Sequence, residues 1–200
     1  MFIKIVDDFR KVVKYLENDI GIAGGNGLGD PIIDYDRIIF NGDAECGHIQ
    51  NSEVCIPWPD KDAGGIATPS EDAVSGQWFA GYTLEKRMCN GDCSYETMVM
   101  QRIKTIINYE SADKDRNDLF FECCKTAFRP YDIYVIALLI IAKYHLKDDV
   151  IVSTDGENNN WYDGKIICHN LLGYGKLFKI DEHGRLINIE KGVKDEQGQE

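Results

Sequence analysis

The sequence predicts an α/β or α+β fold: a mixed β-sheet packed with a buried central helix and an N-terminal amphipathic helix. Three observations carry this. Residues 2–18 set Phe2, Ile5, Val6, Phe9, Val12, Val13 and Leu16 at three- and four-residue spacing, which is one apolar stripe on a helix. Residues 131–144 carry Ile, Val, Leu and Ala on every side, so a helix over 130–145 is buried all round. Short β-branched or alternating runs at 32–41, 120–126 and 150–152 read as strands.

Taken in order, helix 2–18 turns Asp7, Asp8, Arg10, Lys11 and Lys14 to its polar face. Residues 19–31 are a glycine-rich connection. A phosphate-binding loop needs Lys-Ser/Thr after its last glycine, but Asp30-Pro31 stands there. Residues 32–41 form a strand and Asn41-Gly42 signals a turn. Residues 43–75 are polar and irregular, with one compact element from Glu53 to Trp58. Residues 77–103 read as a hairpin over Asn90-Gly91-Asp92, with helix the alternative for 95–108.

The central unit, 117–156, reads as strand, buried helix, strand, the spacing of a parallel crossover. Phe120 to Thr126 is the first strand, with Cys123 and Cys124 buried in it. Pro130 suits a helix start because the first helical position needs no amide hydrogen. Lys143, His145 and Lys147 suit the helix's C-terminal dipole. Val150 to Val152 is the second strand. A further helix over 161–172 stops at Gly173. Residues 176–180 and 185–189 form a terminal hairpin. The chain is expected to be a single domain over 1–190 with a disordered acidic tail over 191–200.

Composition narrows the function classes. With 22 basic and 34 acidic residues in 200, the formal net charge is −12. Direct nucleic-acid or membrane-surface binding needs basic patches, so neither is expected. A partner protein with a basic surface fits better. Neither a signal peptide nor a membrane span is expected, since the longest apolar run is shorter than the roughly 20 residues a bilayer requires. The expected location is therefore cytoplasmic. Seven cysteines at irregular spacings argue against a secreted disulfide framework.

In parallel crossover units ligands sit beyond the carboxyl ends of the strands. Lys125, Thr126, Arg129, Asp132, Ser153 and Asp155 occupy those ends and are a candidate anion or nucleotide pocket. Pairing of Asp132 with Arg129 or Lys125 at a helix start is the simpler reading. Cys46, His48, Cys89 and Cys93, with Cys55 nearby, offer a zinc set. Their spacings favour scattered reduced thiols, so no metal or other cofactor is expected. Asp155, Glu157, Asn159 and Asp163 resemble an EF-hand start. The required glycine and glutamate are replaced by Asn160 and Ile166, which leaves a helix-entry loop with Asn160 as cap. A catalytic pair of Cys123 or Cys124 with His48 or His145 has no support from spacing, and no catalytic residue is assigned.

CKTAFRPYD at 124–132, VSTDG at 152–156, Trp161, LLGYG at 171–175 and Asn41-Gly42 after a strand together resemble a group of small phage- and prophage-encoded proteins. The resemblance covers mostly residues 120–178, with a shorter piece near 37–48. Phe128 interrupts the expected KTAR. The resemblance carries no activity. It implies a soluble life in a bacterial host, where an acidic protein serves counter-defence or host takeover by blocking a basic surface. The alternative is a small-ligand or nucleotide-binding protein or enzyme with its site at 125–132 and 153–155.

Overall fold

The structure, a computed structural model, describes residues 1–54, 87–103 and 121–189. The fold is α+β. Among the described residues three α-helices, α1 (Phe2–Leu16), α2 (Asp132–Leu146) and α3 (Tyr162–Leu172), accompany short antiparallel ladders. The strands are β1 (Ile22–Ala23), β2 (Ile32–Ile33), β3 (Arg37–Gly42), β4 (Ser52–Val54), β5 (Arg87–Cys89), β6 (Met98–Gln101), β7 (Phe178–Ile180) and β8 (Leu186–Asn188). β3 pairs with β1, β2 and β6; β4 pairs with β5, and β7 with β8.

Both expected helices are present. α1 buries Ile5, Val6, Phe9, Val12 and Leu16, the stripe its spacing dictates. α2 is enclosed on nearly all sides, with Ile133, Tyr134, Ala137, Leu138, Ile140 and Ile141 fully or almost fully buried. Each such aliphatic side chain contributes about 1.5–3 kcal/mol on leaving water. Among the described residues no helix is long and apolar enough to cross a membrane. Phe9 of α1, Phe40 of β3 and Tyr134 of α2 meet with ring centroids 5.3, 6.3 and 6.4 Å apart. Tyr134 is buried, and its hydroxyl donates to the Ile20 carbonyl at 2.7 Å. This trio fixes α1 and α2 on the same face of β3.

Several expectations on strands are corrected. Every described ladder is antiparallel, so the parallel crossover around α2 is absent among the described residues. Residues 121–126 lie in no strand, with Cys123 exposed and Cys124 half-buried. Residues 150–152 likewise form no strand. That segment instead joins the terminal hairpin: Leu186 N–H donates to the Val152 carbonyl at 2.9 Å, and Ser153 bridges Arg185. α2 is already covered by α1, α3 and β3, so its burial needs no flanking parallel strands. Asn41-Gly42 is the end of β3 rather than a turn. The 77–103 hairpin fails too: β5 pairs with β4 and β6 with β3, while residues 77–86 lie outside the described set. Residues 98–101 are strand, not helix. The helix over 161–172 is observed as α3, closed by Gly173 at φ +79°, a left-handed geometry that glycine adopts without strain. The terminal hairpin is observed as well. The 191–200 tail, Cys55 and most of the 43–75 loop lie outside the described residues.

A candidate metal centre

β3 delivers the chain to residues 43–48 through a tight turn. Asp43 Oδ1 accepts the Glu45 N–H at 2.8 Å, and the Asp43 carbonyl accepts the Cys93 N–H at 3.1 Å. Gly47 at φ +71° turns the chain between Cys46 and His48. A second turn, with Asn51 at φ +64°, leads into β4. β4 lays Ser52 opposite Cys89 of β5. Beyond Cys89, Gly91 at φ +84° and Asp92 form the next turn, with Asp92 Oδ1 accepting the Ser94 N–H at 2.7 Å. Cys93 is thereby returned beside the 43–48 loop.

The result is a cluster of four potential ligands. One donor atom from each of Cys46, His48, Cys89 and Cys93 lies within 4.8 Å of the other three. Cys46 Sγ and Cys89 Sγ are 3.5 Å apart, and His48 Nδ1 and Cys93 Sγ are 3.3 Å apart. A disulfide would hold two sulfurs at about 2.05 Å, so these are free thiols. A tetrahedral zinc, with Zn–S near 2.3 Å and Zn–N near 2.0–2.1 Å, separates its ligand atoms by about 3.5–3.8 Å. The cluster spans that spacing.

The electrostatics are uneven. Burial raises the Cys46 thiol, but the His48 backbone N–H and the Cys93 and Cys89 thiols donate to its sulfur, and the net shift is downward. Cys93 is pushed far up, first by burial and then by its sulfur neighbours. A metal ion would replace the protons in this network, because thiolates are the ligand form. Three thiolates and an imidazole suit zinc, and four protein ligands make a closed, structural type of site. A cavity of about 130 Å³ lies beside it, lined in part by Asp19, Asp43, Cys46, His48 and Cys93. Cys89 and Cys93 are buried, Cys46 is half-buried and His48 is exposed.

β5 carries a second polar feature two residues from Cys89. Arg87 is fully buried, and its guanidinium meets Asp132 at 3.1 Å and Asp163 at 2.7 Å. Burial disfavours its charge, but the two carboxylates hold its pKa above the ordinary value. Asp132 and Asp163 lie in the first turns of α2 and α3, where negative charge complements the helix dipole. Arg87 therefore pins two helix starts to β5.

Thr126 Oγ1 donates to Asp132 Oδ1 at 2.6 Å, so both residues belong to the Arg87 network. Lys125, Ser153 and Asp155 are exposed and Arg129 is half-buried. Among the described residues no hydrogen bond or ion pair joins Ser153 or Asp155 to residues 125–132. Asp132 pairs with Arg87 rather than with Arg129 or Lys125. Asp163 serves Arg87, while Glu157 and Asn160 form a capping box ahead of α3, which accounts for the carboxylate-rich loop without calcium. Burial pushes Cys124 up to about 12, making it a poor nucleophile. His145 bonds Asp8 at 2.8 Å instead of a cysteine. The sequence reading missed Arg87 and the Asp8, His145 and Tyr174 cluster, because contacts between residues 45 to 166 positions apart leave no local pattern.

Compared with known proteins, the chain matches no family model, and no curated protein and no solved structure is significantly similar to it.

Proposed function

We propose that the chain is a zinc-binding protein whose Cys46, His48, Cys89 and Cys93 hold one structural ion, and whose biological output is binding rather than catalysis. The convergence of three thiol sulfurs and an imidazole nitrogen within 4.8 Å, from loops more than 40 residues apart, carries this reading. The ion would tie the end of β3 to β5, and through Arg87 to the starts of α2 and α3. Folding energy is then supplied by the metal, as structural zinc sites do. The test is metal content of the chain purified without chelator, beside its Cys93→Ser variant. One zinc per chain, lost in the variant, supports the reading; a metal-free chain that folds normally overturns it.

The surface charge supports the binding role. A formal net charge of −12 favours a protein partner with a basic surface and disfavours nucleic acid. On this reading the chain is a phage-derived accessory protein that works in the cytoplasm of a bacterial host. Affinity for such a partner falls steeply as salt is raised; an affinity indifferent to salt argues against it. A small-ligand site at 125–132 and 153–155 is less well supported, since Thr126 and Asp132 are engaged with one another and with Arg87.

A further inference from the structure

The metal centre is built unevenly, and the unevenness suggests how it is regulated. Cys89 is 0% and Cys93 2% exposed, whereas Cys46 is half-buried; Cys46 and Cys93 line the cavity of about 130 Å³, and Cys89 does not. A water molecule occupies about 30 Å³ of liquid, so a peroxide fits that cavity. Cys46 Sγ is the sulfur a small oxidant reaches most readily. The sulfur beside it, Cys89 Sγ at 3.5 Å, is close enough to form a disulfide with a shift of about 1.5 Å. Cys93 and His48 are left as the remaining two ligands, too few to hold a structural ion.

Resting on the zinc reading above, we infer that the centre is a thiol switch: a hydroperoxide oxidises Cys46, Cys89 resolves it as a Cys46–Cys89 disulfide, and the ion is released. The chemistry balances. Cys46 thiolate attacks one peroxide oxygen, the O–O bond breaks, and sulfenic acid forms as hydroxide leaves. Cys89 thiolate attacks that sulfur, the S–O bond breaks, and a second hydroxide leaves. The two thiolates surrender two electrons to one peroxide, and two protons turn the hydroxides into water. The consequence follows from the fold. Cys89 ends β5, so loss of the ion loosens the strand that carries Arg87 and with it the anchoring of α2 and α3.

The experiment uses the zinc-loaded chain carrying Cys55→Ser, Cys123→Ser and Cys124→Ser, which leaves the fully buried Cys168 as the one thiol outside the centre. Hydrogen peroxide is added, zinc release is followed with a chromogenic chelator, and disulfides are mapped by peptide mass spectrometry. The inference expects one zinc released per Cys46–Cys89 disulfide, reversed by dithiothreitol with added zinc. Zinc retained at peroxide levels that fully oxidise Cys123 of the unsubstituted chain overturns the switch but leaves the zinc reading standing. Release accompanied only by sulfinic acid at Cys46, with no disulfide, also overturns it. A chain that cannot be loaded with zinc at the outset overturns the metal reading, and the switch falls with it.

Discussion

Replacing Arg87 with leucine should be among the most damaging single changes in this protein. The guanidinium is fully buried and spans two carboxylates, Asp132 at 3.1 Å and Asp163 at 2.7 Å, whose side chains are only 11% and 2% exposed. Leucine fills part of the space and removes the guanidinium that both carboxylates face. Breaking a buried pair from one side costs about 3–5 kcal/mol. Two compensations temper the loss. Thr126 still donates to Asp132, and both carboxylates keep the favourable helix N-termini, which contribute about 0.3–1 kcal/mol each. A net loss of about 3–4 kcal/mol is therefore expected. With a urea m-value of about 1–3 kcal/mol/M, the midpoint falls by more than about 1 M. Arg87→Lys keeps the charge but not the fork that reaches both partners, so its loss should lie between wild type and leucine. The assay is equilibrium urea unfolding by circular dichroism, at neutral pH and with zinc held constant. A leucine variant within 1 kcal/mol of wild type would refute the claim that this ion-pair network organises the helix starts.

Three other outcomes follow from the same contacts. Asp8 accepts from Lys11, His145 and Tyr174, all at 2.8 Å; burial alone would raise its pKa, but these bonds hold it below the ordinary value. A carboxylate depressed on folding stabilises above its unfolded pKa of about 3.9, and that stability is lost as pH falls through the lower folded value. Thermal unfolding of Asp8→Asn should show less loss on acidification below about pH 4 than wild type, and an equally steep loss would count against the assignment. Gly42→Ala sets a methyl group against the Cys93 carbonyl and Tyr131, at a cost of about 1–3 kcal/mol. Because Cys93 is one of the four proposed ligands, zinc affinity in competition with a chelator should weaken alongside stability; unchanged affinity would separate the two. Gly164→Ala drives a methyl group into Ile136 across the α2–α3 contact, with a similar loss of stability in urea but zinc affinity nearly intact.

The sequence made the helices legible because their burial is written at short range. Phe2 to Leu16 has one apolar stripe, and Ile133 to Ala142 has no polar face to expose. Gly173 and the 176–189 hairpin are likewise local signals. Strand pairing was read less well. Asn41-Gly42 has the composition of a turn, yet Asn41 is buried and its side chain bonds the Tyr95 backbone at 3.1 and 3.0 Å, which holds the pair in β3. Asn90-Gly91-Asp92 does turn the chain, but the strands on either side pair with β4 and β3 instead of each other. The four candidate ligands are each visible in the sequence, and Cys89 and Cys93 flank the Asn90-Gly91-Asp92 turn. What spacing could not show is that β4 sets Ser52 opposite Cys89 and so draws Cys46 and His48 to the same point. The strand-end pocket was inferred from a parallel crossover that does not form, so the positional argument behind it falls away, although Thr126 and Asp132 do meet.

The central claim is that Cys46, His48, Cys89 and Cys93 hold one metal ion that the fold depends on. Cobalt titration of the metal-free chain tests it most directly, because tetrahedral thiolate coordination has a visible absorption of its own. The account predicts saturation at one cobalt per chain with a tetrahedral, thiolate-ligated spectrum, displacement by zinc, and a higher unfolding temperature in the loaded form. It also predicts that Cys123→Ser leaves the titration unchanged while Cys89→Ser abolishes the spectrum. No saturable thiolate–cobalt absorption, or absorption that survives loss of Cys89, would contradict it.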